Sequence, residues 1–137
     1  MTKATLLSIH PKWAKLIYEG KKTIEWRKTF PFKEWHGEMK VYLYETKPVC
    51  KITGRFELLN VVETTFKEYR VIHDSLIKKG CVSLENLVKY QGAKRKIFAW
   101  ILGEGSNYEE EGEQPKTLDD FGLKRPPQSW QYVEVKE

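Results

Sequence analysis

A chain of 137 residues, 40% hydrophobic and 13% aromatic, is long enough to bury one core and too apolar to stay disordered. Its 24 Lys/Arg against 19 Asp/Glu leave a net charge of +5, and no apolar run approaches the roughly 20 residues of a membrane span. The opening Met1-Thr2-Lys3-Ala4 lacks the apolar stretch of a signal peptide, so the expectation is one soluble, cytoplasmic domain over residues 1–137. Cys50 and Cys81 lie far apart without a CxxC partner, which argues against zinc and for buried free thiols in a reducing compartment. No metal or other cofactor is expected. The charge is unevenly spread. Residues 1–56 carry 12 Lys/Arg against 5 Asp/Glu, while residues 57–137 carry 12 against 14. A basic N-terminal part suggests a localised anionic partner such as phosphate or nucleic acid.

In chain order, Thr5 to Ile9 reads as a first strand. Pro11 then opens a short helix at its favoured first position, with Trp13, Leu16 and Ile17 on the buried face and Gly20 as C-cap. Lys22 to Lys28 alternates with period two, which sets Ile24 and Trp26 on one face and Thr23, Glu25 and Arg27 on the other. Glu38 to Thr46 is a further strand. Pro48 to Val62 holds one long or two short strands, with Gly54 at a bulge or bend. Thr65 to about Lys79 reads as helix, and Ser83 caps a second helical run, Leu84 to Tyr90, closed by Gly92. Lys96 to Gly103 is an apolar central strand. Gly105 to Glu113 is an acidic exposed loop, and Trp130 to Val135 is the last strand after Pro126-Pro127. About six strands with two or three inserted helices make an α+β domain, and closing so short a sheet into a barrel would remove its edges.

The densest ionisable patch in a defined local frame is Gly20-Lys21-Lys22-Thr23-Ile24-Glu25-Trp26-Arg27. An Arg one pleat from a Glu can hold its carboxylate, and both can offer hydrogen bonds to a base edge or a phosphate. Lys21 and Lys22 fall at the turn, free to approach an anion. The bland alternative is an ordinary charged face on an edge strand.

The run Ser8-Ile9-His10-Pro11-Lys12-Trp13-Ala14, followed by Gly20, Lys22, Glu25 and Arg27 at G-x-K-x-x-E-x-R spacing, resembles the N-terminal signature of the ASCH domain family, in the PUA-like superfamily. Arg125-Pro126-Pro127-Gln128-Ser129-Trp130 is similar to a tail found in the same subgroup. The resemblance implies a small PUA-like β-barrel with a cleft beside the first helix, holding RNA or a nucleotide-like ligand in RNA metabolism or translation-linked regulation. The ligand contacts expected there are Ser8, Lys21, Lys22, Thr23, Glu25, Arg27, Tyr44, Ser129 and Trp130. Some relatives look like amidohydrolases acting on an acylated cytidine, in which a lysine matching Lys22 works with a threonine and a distant glutamate. Here Glu25 stands where that threonine would be, and Lys78-Lys79-Gly80-Cys81 where the distant carboxylate would be sought. If the chain is an enzyme, Lys22 and Glu25 are its base and acid.

Among the aromatics, Trp13, Trp26 and Trp100 fall on apolar stripes and read as core, whereas Trp35, Tyr44, Trp130 and Tyr132 lie beside polar residues and are candidates for stacking a base. His10, His36 and His73 are scattered and carry no expected catalytic role. A third possibility, a protein partner held by the acidic loop from Glu109 to Glu113, stays open.

Overall fold

Alternating apolar and small residues build the strands, and a computed structural model describes residues 2–64, 79–81, 84–91 and 96–136. Strand β1 is Thr2–Ile9, β2 Ile24–Arg27, β3 Met39–Glu45, β4 Lys51–Thr64, β5 Ile97–Asn107 and β6 Trp130–Val135. Helix α1, Pro11–Tyr18, joins β1 to β2, and α2, Leu84–Gln91, precedes β5. A single 3-10 turn, Asp119–Phe121, lies before β6. The six strands form one sheet in the order β2-β5-β4-β3-β1-β6, antiparallel except where β1 runs parallel to β3. The parallel pair requires a crossover, which α1 and β2 supply.

The expected barrel closure is not there. Strand β2 ends the sheet on one side and β6 on the other, with no ladder between them. The backbone of β2 pairs with β5 alone. Side chains span the gap instead: Arg27 Nη1 donates to Ser129 Oγ at 3.2 Å, and Trp130 Nε1 donates to Thr29 Oγ1 at 2.8 Å. The sheet is therefore a curled, open one with a polar seam.

Period-two alternation sorts the core onto two faces. Leu7, Ile9, Val41, Leu43, Phe56, Leu58, Phe98 and Trp100 fill the inside of the curl under α1, which contributes Ala14 and Ile17. Leu6, Tyr42, Tyr44, Ile52, Tyr108 and Val133 pack on the outer face, covered by Leu118, Phe121 and Leu123. Ile24, Trp26, Ile97 and Ala99 form a third group beneath Leu87 of α2. Ile52 and Phe56 have the same parity yet face opposite sides. The ladder explains this, since Leu43 pairs with Gly54 and Tyr44 with Ile52, so Thr53 is the extra residue of a bulge. Gly54, where a bulge or bend was expected, sits beside it. A Cβ there would stand 2.4 Å from the Ser106 carbonyl oxygen and 2.7 Å from Tyr18 Oη, so only glycine lets β5 and α1 come so close.

Residues 38 and 46 fall just outside β3, and β5 continues past Gly103 to Asn107. The acidic loop is accordingly shorter than its sequence suggested, with Gly105 to Asn107 in β5, Tyr108 fully buried, and residues 109–113 exposed. The helix expected over Thr65 to Lys79, the cap at Ser83 and the stop at Gly92 fall almost wholly on residues 65–78, 82–83 and 92–95, outside the described residues. No described helix is long and apolar enough to cross a membrane.

Candidate functional site at the seam of the sheet

The connection from α1 to β2 positions the charged patch. His10 caps α1, its Nδ1 accepting from the Lys12 N–H at 3.1 Å. Gly20 takes a positive φ of 76° and ends the helix, and the N–H groups of Lys21 and Lys22 fold back to the Leu16 carbonyl, each at 3.0 Å. The chain leaves this turn directly into β2. There Glu25 pairs with Trp100 and Arg27 with Phe98, two residues of the inner face. Glu25 and Arg27 therefore point into the curl, and Ile24 and Trp26, on the opposite face as the alternation predicted, pack under α2.

Lys22, Glu25 and Arg27 converge. The Lys22 side chain is 1% exposed; its ammonium donates to the Gly80 carbonyl and lies 3.5 Å from Glu25 Oε1. Arg27 Nη2 donates to Glu25 Oε2 at 2.9 Å and to the Ser8 carbonyl at 2.8 Å, while Nη1 reaches Ser129. One carboxylate thus bridges an ammonium and a guanidinium, and the three carry one net positive charge. Burial pulls the Lys22 pKa below its ordinary value, and the Glu25 carboxylate opposes that shift. Ser8 lines the seam through its backbone, its own hydroxyl donating to the Pro127 carbonyl at 2.6 Å. Trp130 stands at the seam, edge-on to Trp100 and to Tyr132.

Two aromatic rings flank these charges, each carrying a lysine. Trp13 of α1 has the Lys22 ammonium 5.4 Å and the Lys12 ammonium 4.8 Å from its ring centroid. Tyr90 of α2 has Lys28 at 4.9 Å. Its phenol is raised by burial and also feels the charges of Arg27 and Glu25. Neither Tyr90 nor Lys28 stood out in the sequence. Tyr90 lies 63 residues from Arg27, at the end of a helix whose docking only the tertiary fold reveals.

Other candidates lie elsewhere. Lys22 is not free at a turn but sealed. Lys21 is solvent-exposed, with Glu19 at 3.9 Å. Thr23 serves through its backbone, donating to the Lys79 carbonyl and accepting from the Leu102 N–H, each at 3.0 Å. Tyr44 is 5% exposed on the outer face among Leu6 and Ile52, so it cannot share a hollow with Arg27. Cys50 is exposed rather than buried, and Cys81 is half-buried, with its thiol donating to the Lys21 carbonyl at 3.3 Å. Among the described residues no cluster of three His, Cys, Asp or Glu side chains could hold a metal ion.

The family model for the ASCH domain matches residues 7–120. The fold resembles the crystal structure of ASCH from Zymomonas mobilis, with a TM-score of 0.76 at 23% identity over 96% of this chain and 87% of that one. Among curated proteins, the chain is 33% identical over 61 residues to an ASCH domain-containing ribonuclease of Zymomonas mobilis, covering 44% of this chain and 40% of that protein. It is 23% identical to the large ribosomal subunit protein uL22 of Ureaplasma parvum, over 96% of this chain and 40% of that protein. The chain thus spans about 40% of the length of these curated relatives. The match to the family model covers most of the sequence, including every residue of the α1–β2 patch, and the sheet is that of a solved ASCH structure: the chain belongs to the ASCH domain family.

Proposed function

We propose that this domain binds single-stranded RNA or a nucleotide-like ligand at the seam between β2 and β6. The observation that carries the reading is the convergence of Lys22, Glu25 and Arg27 beside Ser8 and Ser129, where the sheet lacks backbone closure. The buried network sets the shape of the seam and its positive potential. Arg27 makes three hydrogen bonds inside the protein, which leaves two of the five guanidinium donors for a ligand. The Ser129 hydroxyl accepts from Arg27 and keeps its own proton to donate. Trp13 and Tyr90 offer ring faces on which a base can replace a lysine, while Lys12 and Lys28 move to the phosphates. The likeness to an ASCH domain-containing ribonuclease of Zymomonas mobilis supports RNA as the polymer.

Fluorescence anisotropy with a labelled oligoribonucleotide across a salt series tests this. Affinity is expected to fall with salt by a log–log slope of about 0.7 per phosphate neutralised, and Arg27→Ala to weaken it strongly while the protein stays folded. Salt-insensitive or absent association would sink the proposal.

One observation favours a second reading, hydrolysis of a modified nucleoside. Lys22 is buried with its pKa lowered by desolvation, and Glu25 is its immediate partner. Incubation with N-acylated cytidine, followed by absorbance, separates the two readings: no turnover above background leaves binding alone.

A further inference from the structure

Two indoles stand beside Glu25, one behind the other. Glu25 pairs with Trp100 across the β2–β5 ladder, so the fully buried Trp100 ring is the cross-strand neighbour of that carboxylate on the inner face. Trp130 of β6 is half-buried and stands edge-on to Trp100, with ring centroids 5.9 Å apart. Trp130 is therefore the outer ring of the pair. It directly follows Ser129, the residue that Arg27 reaches across the seam.

Thr29 holds both indoles. Trp100 Nε1 donates to its carbonyl at 3.1 Å, and Trp130 Nε1 donates to its hydroxyl at 2.8 Å. The two bonds are unequal: the first is partly buried, and the second is open to solvent. An exposed side-chain bond competes with water, and its net worth is about 2- to 12-fold in an equilibrium. An indole has a single donor, so the Thr29 hydroxyl takes the one polar group that the Trp130 ring can offer. The remaining ring contacts include edge-on approaches to Trp100 and Tyr132. Thr29 itself is fixed independently of Trp130, through the Trp100 bond and through its neighbours: Phe30 lies 4.9 Å from Phe98, and Pro31 is buried. If the exposed bond breaks, the Trp130 side chain is the part free to move.

We infer that Trp130 is a gate on the seam and the Thr29 hydroxyl its latch: the latched ring covers the approach to Glu25 and Arg27, and it swings aside to admit the ligand. The inference rests on the seam reading above for its ligand and adds how access to that site is controlled. A ligand that enters only the open form binds with an apparent affinity reduced by the open fraction. Weakening the latch therefore strengthens binding. Loss of an ordinary ligand contact does the opposite.

Thr29→Val keeps the branched shape and the carbonyl that Trp100 uses, and removes only the latch. Two measurements on the full chain read its effect: water exchange of the indole N–H groups in the isotopically labelled protein, and association with a labelled oligoribonucleotide by anisotropy and stopped flow. Without RNA, the Trp130 N–H of Thr29→Val should exchange about 2- to 12-fold faster, while the Trp100 N–H keeps its protection. RNA affinity should rise by about two- to tenfold through faster association, and Thr29→Ser should match the wild type. A released Trp130 N–H with unchanged or weaker RNA binding overturns the gate and leaves the seam reading standing. An unaltered Trp130 N–H in Thr29→Val overturns the latch, and the gate with it, whatever the RNA does. Absence of association in the wild type and every variant sinks the seam reading and the gate together.

Discussion

Arg27 on one edge strand donates a hydrogen bond to Ser129 beside the other, so two residues 102 positions apart join the ends of a sheet that backbone pairing leaves open. The same guanidinium holds Glu25, so the bond that ties the seam also neutralises part of the buried carboxylate. Arg27→Met removes three hydrogen bonds and half the compensation of Glu25, and is expected to cost about 3 kcal/mol, in the range for breaking a buried ion pair. Arg27→Lys keeps the charge but cannot reach Glu25, Ser8 and Ser129 together, so it should recover only part of the loss. Urea unfolding of both variants measures this. A cost near zero for Arg27→Met would mean that the seam is held by apolar packing alone.

Glu25 lies between two cations, and its removal leaves both without their carboxylate in a largely buried site. Glu25→Gln is therefore expected to destabilise by about 3 kcal/mol or more, because buried charge is left unpaired. The double variant Lys22→Met/Glu25→Gln removes one of those charges and should be less destabilised than the two single changes combined, by about 1–3 kcal/mol. Additive values in the cycle would show that the 3.5 Å approach of Lys22 to Glu25 carries no coupling.

How much of this was readable beforehand follows from the range of each interaction. The pleat alone predicts that Glu25 and Arg27 share a face, because alternation is a local property. It says nothing of which face lies inside the curl, since curvature arises from the whole sheet. Lys22 looked free because its fixed partner, the Gly80 carbonyl, is 58 residues away. Tyr44 looked accessible beside Glu45 and Thr46, yet the segment carrying Leu118, Phe121 and Leu123 returns from far down the chain to help cover that face. The barrel expectation failed at the sheet's two edges: β2 pairs with β5 and β6 with β1 but not with each other, and side chains bridge the gap, a long-range outcome that no local pattern carries.

Trp13 and Tyr90 both stand near the buried charges, each with a lysine over its ring. If they stack bases, Trp13→Leu and Tyr90→Leu should each weaken RNA binding by about 1–3 kcal/mol, the usual worth of a stacked base. Trp13→Phe and Tyr90→Phe should retain most of the affinity. Anisotropy titrations at fixed salt give the comparison. Equal losses for leucine and phenylalanine would exclude stacking as the role of the rings.

Lys22 should leave a signature in the pH dependence of stability. Burial lowers its folded-state pKa, while Glu25 and the nearby Cys81 pull it up and Arg27 pushes it down. In the unfolded chain the ammonium regains the ordinary lysine value near ~10.4. Between these two values the unfolded state binds more protons than the folded one, so the unfolding free energy contributed by Lys22 rises with pH. Below the window the full penalty of a buried ammonium applies; above it the penalty is gone. Tyr18 and Tyr108, both raised by burial, act in the opposite sense once unfolded tyrosines ionise near pH ~10, and they do so equally in a Lys22→Met variant. The quantity to measure is therefore wild type minus Lys22→Met, by urea unfolding from about pH 7 to about pH 10. That difference should move in favour of the wild type as the pH climbs. A flat difference would mean that Gly80 and Glu25 fully offset the desolvation of the Lys22 ammonium.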